Sequence, residues 1–471
     1  AILPLSAPEK RVKPAHMGAL SDNAQRSMPT YRQLPGMAWP LVLTGHAAAL
    51  EVLQSQFRIS ERADPATIRA AQLAQIAELA AHAHGHSAFW RARLHAAGYA
   101  PSAPTERWFA ALPILDRPQA KSAGTALAAL PVPPEHGEIF TLKTSGSTGT
   151  PMEIAKSGLS DLFWQGIGLR DSLWHGRDLS GKLAAIRVGA DAGQAPVWGP
   201  AYAAYVTGPA VTFDARATVD AQIDWLLDQR PQYLLSHASN LHALATRCLA
   251  RGERLAGLIE ARSFSERPPD DLAEMVRAAW GVPLVDLYSA NEVGYIALQC
   301  ERGSYHVQAE DVLIEIVDTD GQPCAPGESG RVVATSLHNF ATPLLRYDLG
   351  DYATLGSDCP CGRTLPVLAR ILGRRRNMLR LPGGGSAWPG FPMNMLTRLD
   401  AIQAMRMVQH DLNDVEVEMV LARPLTAAEE EALADAVRVR LGHPFAVRLT
   451  QVAAIERGPG GKMEDFLCMM D

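Results

Sequence analysis

The middle of the chain alternates short apolar runs with amphipathic helical stretches, and no other feature restricts its fold as much. Residues 184–188, 233–235 and 283–288 read as strands, whereas 219–227 and 270–280 carry apolar residues at helical spacing. Strands separated by helices cannot pair as tight hairpins, so the chain must cross the sheet face between them. This predicts an α/β domain with a largely parallel sheet. In such folds ligands sit in the crevice beyond the strand ends.

The flanks differ in texture. Residues 65–98 read as one helix, capped by Asp64 and begun by Pro65, and the proline-rich 101–134 reads as a winding connection. Residues 312–317, a turn-rich 318–330 and 331–335 read as strand, turn and strand, within a smaller β-rich subdomain over about 300–372. Past Gly383-Gly384-Gly385, a strand at 415–421, a helix at 427–441 and a strand at 446–452 predict a compact α+β module. The expected division is a large N-terminal domain over 17–374 and a small C-terminal domain over 375–471, with 1–16 a tag or disordered leader.

Charge narrows the function. Lys and Arg number 44 against 50 Asp and Glu, a net charge of -6, which argues against a protein held to nucleic acid by a global positive field. No run approaches the roughly 18 consecutive apolar residues of a spanning helix, and no secretory pattern is visible at the amino terminus. A cytoplasmic protein with no membrane partner is the expectation.

Two local patterns carry chemistry. Thr144-Ser145-Gly146-Ser147-Thr148-Gly149 follows the apolar residues 139–142, so it is a loop leaving a strand. Its glycines allow close backbone approach, and its hydroxyls and main-chain N–H groups suit phosphate oxygens. It lacks the Gly-Lys-[Ser/Thr] ending of a Walker A loop. The other pattern is Cys300 with His306, followed by Cys359-Pro360-Cys361. Three thiols and an imidazole in two short pairs are the inventory of a closed structural zinc site; the other reading is reduced, packed cysteines beside an incidental histidine. Six cysteines in 471 residues are too few for a disulfide scaffold.

The loop and the segments after it resemble, in the same order, the motifs of the adenylate-forming superfamily of acyl-CoA synthetases, adenylation domains and luciferases, most closely its phenylacetate-CoA ligase branch. Residues 87–91 and Leu112-Pro113-Ile114 resemble that branch's lead-in segment. Tyr288-Ser289-Ala290-Asn291-Glu292 resembles its Tyr-Gly-x-[Ser/Thr]-Glu. The resemblance implies that Tyr288 packs on adenine, Ser289 and Asn291 lie at the α-phosphate, and Glu292 helps hold Mg²⁺. Leu345 to Asp351 resembles Arg-Tyr-x-Thr-Gly-Asp, which makes Asp351 the ribose acceptor, and Gly373-Arg374 resembles the hinge motif, which makes Arg374 a ribose or phosphate contact. Residues 458–462 resemble the closing Gly-Lys loop, which implies that Lys462 stabilises the charge developing between carboxylate and α-phosphate.

By the same resemblance, Ser265 and Glu266 border the nucleotide, while His237 and Ser239 lie beside the acid. The implied reaction joins ATP to an aromatic carboxylic acid as an acyl-adenylate and passes the acyl group to a thiol, CoA by default. The implied C-terminal module is mobile, and a homodimer is compatible with the branch. An amine or a carrier-protein thiol is the alternative acceptor. Departures from the pattern at Ser289 and Asn291, and at Arg375-Arg376-Asn377 in place of an acidic hinge, support a further alternative, a catalytically retired nucleotide-binding protein stabilised by zinc.

Overall fold

A computed structural model of the chain describes residues 31–32, 36–37, 39–143, 152–199, 203–374, 377–389, 399, 401–456 and 464–470. The loop Thr144 to Gly149, Arg375, Arg376, the leader and Lys462 lie outside the described residues.

An amino-terminal helical layer comprises α1 (Gly45–Ser60), α2 (Pro65–His86), α3 (Ala88–Ala96), α4 (Thr105–Ala111) and α5 (Arg117–Ala123). The expected single helix over 65–98 is therefore two. Asp64 caps α2 as expected, but Ser87 takes an extended conformation, and its side chain accepts the N–H of Trp90 as the cap of α3. A cap inside a continuous apolar pattern is invisible to periodicity, because Trp90 and Leu94 keep the buried face going. The proline-rich connection likewise contains α4 and α5, the second opened by Asp116 as cap with a proline in its first turn.

Next come a two-stranded ribbon, β1 (Ile139–Lys143) with β2 (Glu153–Ser157), and α6 (Gly158–Trp174). The expected alternation follows as β3 (Leu183–Arg187), β4 (Gly193–Ala195), β5 (Ala210–Asp214), α7 (Val219–Gln229), β6 (Tyr233–His237), α8 (Ala238–Arg251), β7 (Glu260–Phe264), α9 (Leu272–Trp280) and β8 (Leu284–Ala290). Strands β5, β3, β6, β7 and β8 pair in parallel. β8 runs on to Ala290, two residues past the expected end at 288, so Ser289 belongs to the strand as Tyr288 does.

From β8 the sheet continues antiparallel through β9 (Gly294–Gln299), β10 (Tyr305–Val307), β11 (Val312–Val317), β12 (Ser329–Ser336), β13 (Tyr347–Leu355) and β14 (Val367–Arg374). The expected β11–β12 hairpin is present, with Val312 opposite Ser336. All these strands form one twelve-stranded sheet, in the order β11-β12-β13-β14-β10-β9-β8-β7-β6-β3-β5-β4. One apolar core lies between the helical layer and the antiparallel half, and a second packs α7, α8 and α9 on the parallel half.

After the short pair β15 (Leu379–Arg380) and β16 (Ser386–Ala387), the C-terminal module has its own sheet, ordered β19-β18-β17-β20. It comprises β17 (Ile402–Gln409), β18 (Asp414–Leu421), α10 (Ala427–Leu441), β19 (Ala446–Gln451) and β20 (Phe466–Cys468). Thr426 and Glu429 form a reciprocal capping box at the start of α10. Among the described residues no helix is long and apolar enough to cross a membrane.

Candidate active site

Three of the residues singled out from the motifs, Tyr288, Asp351 and Arg374, meet. Tyr288 is buried on β8 and its hydroxyl donates to Asp351 Oδ2 at 2.7 Å. Arg374 Nε lies 3.5 Å from Asp351 Oδ1. The register accounts for one of the two contacts, since Asp351 of β13 stands directly opposite Arg374 of β14; β8 lies four strands from β13 in the sheet order, so the Tyr288–Asp351 contact is a tertiary one that strand order does not give. Burial, and then the Asp351 charge, push the Tyr288 phenol well above its ordinary pKa, so it remains a donor.

Next to this trio, Glu292 is buried and its Oε1 lies 3.6 Å from the guanidinium of Arg117 at the start of α5. Asn291 Nδ2 donates to the carbonyl of Lys143, the last described residue before the Ser, Thr and Gly loop, at 3.5 Å. The motif on β8 and the mouth of that loop are therefore neighbours.

Sequence reasoning missed Lys156. It lies on β2, on the strand face that also presents Ile154, and is only 9% exposed. Burial lowers its pKa, and the carboxylates of Asp311, Glu292 and Asp161 act in the opposite direction. A lysine at an inward position of the alternating segment 152–156 was the available signal, since a buried lysine is rare.

At the ends of the parallel strands, Ser265 follows β7 with φ at +73°, a left-handed conformation uncommon outside glycine and characteristic of functional turns. Glu266 turns back to α8, where its Oε2 accepts the N–H of Ser239 at 2.9 Å, a favourable site for a carboxylate at a helix amino terminus. Its Oε1 lies 3.9 Å from Nδ1 of the buried His237, whose ring packs 4.6 Å from that of Phe264. Asp465, three residues past Lys462, feels the charge of Glu266; burial first, and then that carboxylate, push its carboxyl up to about 7.

The cysteines gather elsewhere on the same strands. Cys300 follows β9, His306 lies in β10, and Cys359 and Cys361 lie in the turn between β13 and β14. Their ligand atoms all fall within 4.8 Å of one another. Cys300 Sγ is 3.8 Å from Cys359 Sγ, and Cys361 Sγ is 3.3 Å from His306 Nε2. A tetrahedron with metal–sulfur bonds of about 2.3 Å has sulfur–sulfur edges of roughly 3.8 Å, so the donor set fits zinc. His306 Nδ1 faces the Leu365 carbonyl at 3.3 Å, the outer contact that aims Nε2 at a metal.

The comparisons with known proteins bear on this geometry. The CapK C-terminal domain family matches residues 389–466. Phenylacetate-coenzyme A ligase of Thermus thermophilus is 32% identical over 174 residues, which is 35% of this chain and 39% of that protein. A 2-hydroxyisobutyryl-CoA ligase, solved in its postadenylation state with 2-HIB-AMP, superposes with a TM-score of 0.67 at 18% identity, covering 86% of this chain and 90% of that one. The chain has the adenylate-forming fold. The match to phenylacetate-coenzyme A ligase supports the branch of the adenylate-forming superfamily that the motifs resemble. An anthranilate CoA ligase in complex with anthranoyl-AMP shares this adenylate-forming fold with a TM-score of 0.53 at 18% identity, over 70% of this chain and 66% of that one.

Proposed function

We propose that the chain is an AMP-forming carboxylate ligase that joins an acid to the α-phosphate of ATP, releases pyrophosphate and passes the acyl group to a thiol, CoA by default. The observation that carries this reading is the meeting of Tyr288, Asp351 and Arg374 beside Asn291 and Glu292, at the mouth of the Ser, Thr and Gly loop.

In this reading the loop Thr144 to Gly149 grips the phosphates, with Ser289 and Asn291 at the α-phosphate and Ser265 at the border of the nucleotide. Tyr288 packs on adenine while its hydroxyl holds Asp351, whose remaining acceptor capacity takes the ribose hydroxyls. Arg374 neutralises Asp351 and reaches the ribose or phosphate. Glu292 would hold Mg²⁺, which when bound neutralises charge on the phosphate oxygens; the buried carboxylate beside Arg117 fits a hard cation only if Arg117 yields. A carboxylate oxygen of the acid bonds to the α-phosphorus as the bond to pyrophosphate breaks, and positioning and charge stabilisation lower the barrier. Lys462 is assigned to that developing charge by the resemblance of residues 458–462 to the closing Gly-Lys loop. Glu266 borders the nucleotide with Ser265, His237 and Ser239 border the acid, and Cys300, His306, Cys359 and Cys361 hold a structural zinc that takes no part in the chemistry.

Acid-dependent exchange of labelled pyrophosphate into ATP tests the first step, because exchange requires reversible adenylation. Exchange with aromatic acids is the expected result. ATP binding without exchange for any acid supports the retired reading, which the Arg117–Glu292 contact favours. Supplying CoA or amines then distinguishes the acceptors.

A further inference from the structure

We propose that the acid crevice is built for a planar carboxylic acid bearing a second anionic group, and that Arg187 binds that group. The proposal rests on the adenylating reading above and specifies its acid.

Arg187 ends β3, and in the order β8-β7-β6-β3 its strand stands three spacings, about 14 Å, from the strand of Tyr288. Its side chain leans back across that span, placing Cζ 5.2 Å from the centre of the Phe264 ring on β7. The titratable groups it faces are Tyr295 of β9 and Arg262 of β7, neither of them a carboxylate. The two nearby acids are already held. Asp214, opposite Arg187 in the β3–β5 register, binds the guanidinium of Arg216 at 2.7 Å, and Asp171 binds Arg177 and Arg262. Among the described residues no carboxylate pairs with Arg187, which is exposed at the end of its strand.

The neighbours of Arg187 belong to two aromatic pairs. Phe264 packs against His237, and the exposed Trp164 of α6 stacks on Tyr295 with ring centres 5.7 Å apart and planes at 18°. Aromatic faces suit a flat, apolar body, and a guanidinium held over such a face presents parallel donors that match a carboxylate in two-point fashion. A neutral end group would leave that cation without a carboxylate partner.

Isothermal titration with phenylacetate and with 2-, 3- and 4-carboxyphenylacetate, in the presence of a nonhydrolysable ATP analogue, tests this assignment. At least one diacid is expected to bind the wild-type protein about tenfold more tightly than phenylacetate, the usual scale for a charge-assisted two-point contact. Arg187→Ala should lose that margin while binding phenylacetate as before, and Arg187→Lys should keep part of it. Absence of any preference for a diacid, or its survival in Arg187→Ala, overturns the proposal. Pyrophosphate exchange with the same acids reports separately on the adenylating reading: preferential binding without exchange removes that reading and leaves the Arg187 assignment standing.

Discussion

The two ends of the β13–β14 hairpin carry opposite kinds of site. At its turn, Cys359 and Cys361 meet Cys300 and His306, and three of these four residues are buried. At its open end, Asp351 and Arg374 meet Tyr288, with Asp351 and Arg374 half-buried at the crevice. The turn cluster uses up its ligand atoms on one another, whereas the open cluster keeps acceptor capacity on Asp351. One hairpin thus carries a closed site that suits stability and an open site that suits binding. Asp286 links the two, because it lies two residues before Tyr288 on β8 and accepts the hydroxyl of Tyr305, the neighbour of His306, at 2.7 Å.

Breaking the closed end should cost most. Chelation, or Cys359→Ser, is expected to release one zinc per chain and lower the melting temperature by about 10 °C, since binding energy at such a site is folding energy. Calorimetry with metal analysis checks this; an unchanged melting curve in a metal-free protein would return the cluster to packed thiols.

Breaking the open end should cost less stability than losing the metal site, about 1 to 3 kcal/mol for the orphaned Tyr288 hydroxyl, and weaken nucleotide binding. In the proposed nucleotide site the ribose hydroxyls would donate two hydrogen bonds to the charged Asp351, so ATP affinity of Asp351→Ala should fall roughly 10- to 100-fold. A fluorescence titration measures it, and equal affinity would detach Asp351 from the nucleotide.

The linking residue gives the smallest effect, and its sign is fixed. Burial raises the Asp286 carboxyl to about 7, well above the usual carboxylate range. A raised pKa means the folded state holds the proton longer, so stability is full below the unfolded pKa and is lost as pH rises through the folded one. Between pH 6 and pH 8 the protein should therefore lose about 1.4 kcal/mol relative to Asp286→Asn, read from denaturant curves of both. Parallel pH profiles would show that Asp286 does not titrate in this range.

The sequence made the α/β alternation, the β11–β12 hairpin and the C-terminal strand, helix and strand legible, because each is a local pattern of apolar spacing. Motif resemblance picked out Tyr288, Asp351 and Arg374, but the Asp351–Arg374 contact depends on the β13–β14 register and the Tyr288–Asp351 contact joins strands four apart in the sheet, neither of which a local pattern encodes. The same holds for the continuity of the two halves in one sheet. Lys156 and Arg187 escaped because each reads as an ordinary lysine or arginine in a strand; only burial marks the first, and only the commitment of Asp214 to Arg216 marks the second. Ser87 escaped because its cap interrupts a helix without interrupting the apolar face.

Labelling the acid tests the central claim most directly. An acid that supports exchange, carrying ¹⁸O in its carboxylate, is incubated with ATP and CoA, and the AMP formed is analysed by mass spectrometry. Bond formation between the carboxylate and the α-phosphorus predicts AMP with one ¹⁸O, accompanied by pyrophosphate. Unlabelled AMP, or ADP and phosphate in its place, would contradict adenylation at the site formed by Tyr288, Asp351 and Arg374.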